Sequence, residues 1–321
     1  MLHKDVKYIE AGTPTFEVGY NPQTEWKWLI TLAFFCGELG AGLFLVSLFV
    51  PAAGAKLAFF AGLLGWMIVA GPKNLFHFIY LGRPWRFWRG LSRPGSSWIT
   101  RGFYATFSLC GFGFLHLALF YDVAFNGAVP TALGQLMMVI SGIAAFVVMI
   151  YDGIVMTYSP SIPLWNNSLV PVLRTSYALM GGVTLTLFVS LFPQLAGQFT
   201  EEQLKIWSQV ERGLVVANML MIVIYVMTLT YQVTAAKESA FLIIRDKYPA
   251  IFWFGVVAIG LIAIFLLPIL VQTESLGLLL AVAVFELVGD FCILFLLLRA
   301  GVFSPLMPRP NIDVTLFAAA R

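Results

Sequence analysis

Several side chains able to carry charge or protons stand inside stretches that are otherwise apolar: Glu38, Lys73, His77, Tyr151, Asp152, Glu286 and Asp290. An ionisable group is costly to hold inside a bilayer, so each of them is a functional candidate by default. Lys73 and His77 are four residues apart and share one helix face. Glu38 lies within Gly37-Glu38-Leu39-Gly40-Ala41-Gly42, whose small residues permit close helix approach and would bring Glu38 near Lys73. Tyr151 and Asp152 fall about 9 Å from one end of their run at ~1.5 Å per residue. Arg101 and Arg174 enter the same layer from neighbouring runs. For any single pair, Glu38–Lys73 or Asp152–Arg174, a structural ion pair is the simpler account. For the whole cluster, with a Tyr and a His beside the charges, a site is the better one.

The chemistry this mix suits is proton-coupled electron exchange with a quinone. Such a headgroup needs hydrogen-bond donors to two carbonyl oxygens, a titratable group to pass protons, and an apolar slot for its tail. Tyr151 and His77 are donors or proton partners. Asp152 or Glu38 would relay protons to the surface, and the 29 phenylalanines and small-residue faces supply a slot. A transporter of a small anion or of protons would use a similar mix. Glu286 and Asp290 lie four apart near mid-membrane, with no Lys or Arg deep in the last three apolar runs. Desolvation disfavours their charged form. They read either as proton-transfer groups or as protonated carboxyls bonded to a neighbouring helix.

Only His77 and His116 fall within apolar runs, near opposite membrane faces, so they cannot be the two axial ligands of one haem. No haem is expected, and His116 reads as an interfacial residue. Cys36, Cys110 and Cys292 are far apart and match no metal-binding spacing, which makes structural thiols the reading and leaves no iron–sulfur cluster in the chain itself. No nucleotide- or zinc-binding motif appears, and neither a metal site nor a nucleic-acid partner is expected.

These residues are positioned by a chain that is 60% hydrophobic and 11% charged, with mean hydropathy +0.88. That composition belongs to a polytopic membrane protein embedded in the lipid bilayer. At about 20 residues per crossing, eight transmembrane helices are predicted, approximately at 27–50, 54–80, 98–121, 130–157, 168–192, 213–233, 249–271 and 276–298. The expected fold is an all-α integral membrane protein. Residues 1–23 form a polar tail, too polar for the apolar region of a signal peptide. Residues 24–192 hold spans 1–5 and the candidate site, and 213–298 hold the remaining spans. In the 193–212 connection, Thr200 with Gln203 resembles a capping box, and Leu204, Ile206 and Trp207 would face the membrane on a short interfacial helix. Residues 234–248 read as a charged loop, and 299–321 as a tail with Pro305, Pro308 and Pro310.

The most basic connection runs from Tyr80 to Tyr104 and holds Arg83, Arg86, Arg89, Arg93 and Arg101, five of the chain's eleven arginines. Gly82-Arg83-Pro84 stops the preceding helix. Pro94-Gly95-Ser96-Ser97 is a second breaker, with Ser96 or Ser97 capping the helix that starts at Trp98. Trp85, Phe87, Trp88 and Trp98 suit the headgroup level. The stretch reads as a positive anchor and, beyond that, as a platform for a quinone headgroup, lipid or a partner. Eight spans put both termini and the 81–97, 158–167 and 234–248 connections on one side. That side carries fifteen Lys and Arg, against three (Lys56, Lys205 and Arg212) on the other. The positive-inside rule makes the basic side cytoplasmic in a cell membrane.

Two motifs together carry a family resemblance. Leu81-Gly82-Arg83-Pro84 followed by Ser92-Arg93-Pro94-Gly95-Ser96-Ser97-Trp98 is the first. Tyr151-Asp152-Gly153, continuing through Pro163-Leu164-Trp165-Asn166, Pro171 and Ser176, is the second. With the glycine-rich first span, they resemble the membrane subunits typified by NrfD and the polysulfide reductase membrane subunit. The match is specific over spans 1–5. The resemblance implies two four-helix bundles, no haem, and a quinone such as menaquinone bound near one surface. It also implies electron exchange with a four-cluster iron–sulfur subunit wired to a molybdenum or tungsten bis-pterin catalytic subunit. By motif match, Tyr151 is the span-4 tyrosine that contacts the quinone. Near the start of span 1, Trp26 and Lys27 stand without the family's His, and His77, Lys27 or Glu38 takes its place. By their own chemistry Glu38, Lys73, Asp152, Glu286 and Asp290 are the expected proton carriers, and Arg83, Arg86, Arg89 and Arg93 of the basic connection are the expected docking residues. The competing readings are a secondary transporter and a purely structural anchor.

Overall fold

The computed structural model describes residues 20–304 except 51–53, 196 and 272–275. The tail up to residue 19 with Lys4 and Lys7, and the C-terminal stretch with Pro305, Pro308, Arg309, Pro310 and Arg321, lie outside the described residues. Eight helices within them are long and apolar enough to cross a membrane. They are Trp28–Ser47, Ala55–Tyr80, Trp98–Asn126, Ala132–Thr157, Leu169–Ser190, Glu201–Tyr231, Ile251–Val271 and Gly277–Arg299, spans 1 to 8. The protein is all-α and multi-pass, with one isolated bridge, Pro22 to Val302, as the only β pairing among the described residues.

Local chemistry sets the helix ends. Span 2 stops before Gly82, which takes a left-handed φ of 62° just ahead of Pro84. Ser97 caps span 3, its side chain accepting from the Thr100 N–H at 3.3 Å. Span 3 continues past the expected residue 121 to Asn126, where Gly127 at φ 67° ends it. The Thr200–Gln203 capping box is present, but it opens span 6 itself: Glu201–Tyr231 is one helix of 31 residues. Among the described residues no separate interfacial helix stands there, because nothing between Trp207 and Leu214 breaks a helix except the single Gly213, which a helix tolerates. The 234–248 stretch is also helical at Thr234–Phe241, where Ala, Lys and Glu are good helix formers.

One face gathers several connections. The Gln23 N–H donates to Gly301 O at 2.7 Å, the Phe303 N–H to Asn21 O at 2.9 Å, and the Ser304 N–H to Ser161 O at 2.8 Å. The Trp165 indole donates to Leu297 O at 2.6 Å. Entry into span 1, exit from span 8 and the 158–167 connection therefore meet on the same side.

Spans 1 and 5 form the centre: 72% of the most apolar stretch of each is buried, against 28% in spans 6 and 7. Lipid tails are as apolar as leucine, so helices associate here through close packing rather than through the hydrophobic effect. Glycines permit it. A Cβ on Gly40 would stand 2.8 Å from Gly65 O of span 2. One on Gly42 would collide with the Ala178 carbonyl of span 5, and one on Gly182 would stand 2.7 Å from Gly42 O. Span 5 also packs on spans 4, 6 and 8, so it joins the two ends of the sequence.

Candidate functional site

Span 2 is irregular where it matters. Pro72 has no N–H and its ring would clash with the Ile68 carbonyl in an α-helix. Val69–Lys73 widens into a π-helical turn, a form that recurs at functional positions. Lys73 is 7% exposed, and its stem runs along the Gly37 backbone, where a Cβ would be 3.3 Å from Cγ. Its Nζ donates to the Thr106 hydroxyl, which donates to Gly102 O at 2.8 Å. Among the described residues no carboxylate lies within ion-pairing distance of it. One turn on, His77 Nδ1 is 3.1 Å from Lys73 O. A carbonyl only accepts, so Nδ1 carries the proton and Nε2 of the neutral ring is an acceptor.

Tyr151 of span 4 lies flat on Gly102 of span 3, where a Cβ would overlap its ring. Phe34 of span 1 bridges the two aromatic groups, its ring 5.8 Å from His77 and 6.1 Å from Tyr151. Lys73, His77, Thr106 and Tyr151 thus line one cavity of about 80 Å³, walled by Phe78, Leu81, Ile99, Phe103 and Phe107. Ile99 and Phe107 are exposed on the outer surface, so the apolar wall continues toward lipid. Leu81 and Ile99 flank the arginine-rich connection, which places the cavity directly beneath it.

Behind Tyr151 lies a buried charge cluster. Arg174 of span 5 is fully buried, and its Nε donates to Glu38 Oε2 at 3.0 Å. Its Nη2 also meets Glu38 Oε1 and lies 2.9 Å from Asp290 Oδ1; Nε lies 3.7 Å from Asp152 Oδ2. One guanidinium thus ties spans 1, 4, 5 and 8. Glu38 does not approach Lys73 as expected. Gly37 and Gly40 face span 2 while Glu38 and Gly42, four apart, face span 5. Glu286 and Asp290 are not unpaired either, because span 5 supplies the partners that spans 6–8 lack. Asp290 takes Arg174, and Glu286 accepts from the Thr184 hydroxyl, which also meets Glu211 at 3.1 Å.

With this geometry in place, the comparison with known families is decisive: Polysulphide reductase, NrfD matches residues 17–305. The chain belongs to the NrfD polysulphide reductase family. No curated protein matches it in sequence. The match takes in all eight spans, the cavity and the charge cluster. It marks the chain as a membrane subunit of the polysulphide reductase-like kind.

The other residues singled out in this NrfD-family chain are placed as follows. Trp26 stacks on Trp165 at 4.7 Å and Lys27 is exposed; neither lines the cavity. Asp152 points to Arg174 and accepts from the Gly153 N–H at 2.8 Å. Arg83, Arg86, Arg89 and Arg93 are exposed on and beside the 3₁₀ turn Pro84–Leu91, where Trp85 is 90% exposed. Arg101 does not join the buried layer. It donates to Pro94 O at 3.0 Å and Gly95 O at 2.8 Å and lies over the Trp98 ring, because the tight 94–97 turn presents its carbonyls to it. His116 is buried, stacked on Phe120 and edged by Phe44, and lines a cavity with Pro130 and Thr131 at the start of span 4. Lys73 meets Thr106, so His77 and His116 are separated along the helix axes by roughly 20 Å at ~1.5 Å per residue. Thr106, Thr184, Tyr177 and Glu211 were not legible as site residues. Hydroxyls in spans are common, and Glu211 stood beside Arg212 in the polar run before span 6.

Proposed function

We infer that this NrfD-family chain is the quinone-reactive anchor of a multi-subunit oxidoreductase. The supporting observation is the convergence of Lys73, His77 and Tyr151 on one lipid-facing cavity, with Lys73 lacking a carboxylate partner among the described residues. These groups fit a quinone, menaquinone included: an ammonium and a phenol donate to carbonyl oxygens, and phenylalanines receive an apolar tail. A bound quinone supplies a two-electron, two-proton carrier. Lys73 and Tyr151 hold and polarise its oxygens. His77 Nε2 takes a proton from a hydroxyl or, once protonated, returns it. Phe34 and Gly102 fix the two rings so that both point into the same space.

Arg83, Arg86, Arg89 and Arg93, above the cavity, would dock a four-cluster iron–sulfur subunit, which would carry electrons onward to a molybdenum or tungsten subunit. The basic face is assigned to the cytoplasm by its charge, and spans 1–4 and 5–8 are taken as the two bundles. The test is quinol-driven electron transfer in the purified complex. Tyr151→Phe and Lys73→Met each lower it by on the order of 10²-fold, the usual contribution of a positioned proton-transfer group. Full activity in both variants, or a chain that isolates without iron and without quinone, overturns the assignment.

A further inference from the structure

Two cavities meet at His116, far from the arginine-rich connection. Span 3 starts at Trp98 beside those arginines, and His116 is eighteen residues along it, about 27 Å deeper at ~1.5 Å per residue. One cavity, of about 160 Å³, lies between the end of span 3 and the start of span 4, against Leu119, Thr131 and Gln135. The other, of about 210 Å³, reaches from there to the end of span 1 and the start of span 2, against Ser47, Leu48 and Ala58. His116, Phe120, Val123, Pro130 and Met138 line both, so the two are parts of one slot. Each part is larger than the cavity of about 80 Å³ beside Lys73.

The slot holds an unanswered polar atom. His116 is 6% exposed, and its Nδ1 has no hydrogen-bond partner among the described residues. Phe120 stacks on the ring, Phe44 meets it at right angles, and the ring also meets the Gly134 backbone in the first turn of span 4. With those sides taken, a partner for Nδ1 comes from the cavities. Buried polar groups are normally paired, so an orphan that lines a cavity points to something that enters it.

The rest of the lining says what enters. Thr131 Oγ accepts from the Gly134 N–H at 3.0 Å, which leaves its hydroxyl proton to give. Gln135, exposed one turn on, adds an amide that both donates and accepts. No Lys, Arg, Asp or Glu lines either cavity among the described residues, so a phosphate or other ionic head would find no counter-charge. Leu48, Leu117, Leu119, Phe120 and Met138 make the remaining wall apolar. Leu115, one turn before Leu119, and Val139, next to Met138, are exposed on the outer surface, so that wall continues toward lipid. A few polar groups at one end of an apolar concavity are the pattern of a ligand site.

We propose that this slot binds a neutral amphiphile headed by a hydroxyl, a quinol or a long-chain alcohol, with the hydroxyl on His116 Nδ1. A hydroxyl donates and accepts, so it satisfies Nδ1 in either tautomer of the ring. Thr131 and Gln135 serve a second polar atom of the head, and the apolar wall takes the tail. The inference does not rest on the quinone reading, since binding here moves no electron.

The test places the purified full chain in phosphatidylcholine nanodiscs, whose lipid head carries no hydroxyl, and follows isotope-labelled histidine by nuclear magnetic resonance. The chain has three histidines, and His116→Gln identifies the His116 signal by removing it. The probes are dodecylhydroquinone kept reduced under argon, dodecanol, and dodecane as the tail without a head. The expected result is a saturable movement of the His116 signal with a hydroxyl probe and none with dodecane. Movement with the hydroquinone alone names a quinol, with dodecanol alone a simple alcohol, and with both any hydroxyl head. Gln135→Leu weakens the response about tenfold, the loss of one hydrogen bond. Val123→Trp fills the slot and abolishes the response while keeping His116. Because Gln135 is exposed, its variant carries the test even where Val123→Trp misfolds. No movement with either hydroxyl probe overturns the proposal and leaves the slot to water. So does equal movement with dodecane, or an undiminished response in Gln135→Leu or in folded Val123→Trp. The His77 signal reports the cavity beside Lys73 separately, so failure at His116 leaves the quinone assignment untouched.

Discussion

Replacing Arg174 by Met tests whether one guanidinium holds the bundle. Three carboxyl groups lie within 4.0 Å of it, and none is more than 3% exposed. Breaking a buried ion pair from one side costs about 3–5 kcal/mol. The stranded carboxyls escape part of that by binding protons. What remains is about 1–3 kcal/mol for each hydrogen bond left unmade, and the total stays near the same range. Met fills most of the volume, so a cavity adds little. At ~2–4 °C per kcal/mol for a chain of this class, the melting temperature falls by roughly 10 °C. Glu38→Gln alone leaves Arg174 with Asp290 and Asp152 and costs about 1–3 kcal/mol. The double variant loses less than the sum, by ~0.5–3 kcal/mol, because the two residues share one interaction. Thermal unfolding in mild detergent, followed by tryptophan fluorescence, measures all three. An Arg174→Met protein that melts with wild type, or strictly additive losses, refutes the argument.

Four further outcomes follow, three from the packing and one from charge. Gly42→Ala forces spans 1 and 5 apart, because its Cβ meets the Ala178 backbone, which cannot swing aside; the loss is ~1–3 kcal/mol and shows as a lower melting temperature. Gly71→Ala, with nothing within 4 Å of the added carbon, changes stability by less than about 0.5 kcal/mol. Gly102→Ala displaces the Tyr151 ring and weakens binding of a quinone analogue, read by fluorescence quenching, more than it lowers the melting temperature. If the proposed docking holds, converting Arg83, Arg86, Arg89 and Arg93 to Gln weakens capture of an iron–sulfur subunit. The wild-type association, unlike that of the variant, falls steeply as salt shortens the Debye length to about 10 Å at 0.1 M.

The number and order of the spans were legible because a crossing needs a long apolar run and little else satisfies its backbone. Their ends were less so. Hydropathy fades at Tyr121 and begins at Leu214, yet helices end at caps, and those stand at Gly127 and Thr200. A run of 31 helical residues is about 46 Å long at ~1.5 Å per residue, well beyond the ~30 Å hydrocarbon core. The extra turns of span 6 therefore carry polar sequence and read as a separate segment. That same overhang hid Glu211, which looked like a surface residue and is buried against Thr184.

Ionisable residues in apolar runs announced the site, but not who pairs with whom. The pairing turns on which glycine of Gly37-Glu38-Leu39-Gly40-Ala41-Gly42 meets which neighbour, a matter of rotation about one helix axis that spacing cannot fix. Had Glu38 turned to span 2, it would have neutralised Lys73, and Arg174 would have been left to Asp152 and Asp290. Instead three carboxyls crowd one guanidinium while the ammonium has only a threonine hydroxyl. A network built only to hold helices together gains nothing from that division, since the second cation stays buried without its counter-ion. The division does suit a cation kept for an acceptor that arrives from lipid. A carbonyl oxygen in the cavity would meet Lys73 without competing with a carboxylate, because Arg174 holds Glu38, Asp152 and Asp290 behind it.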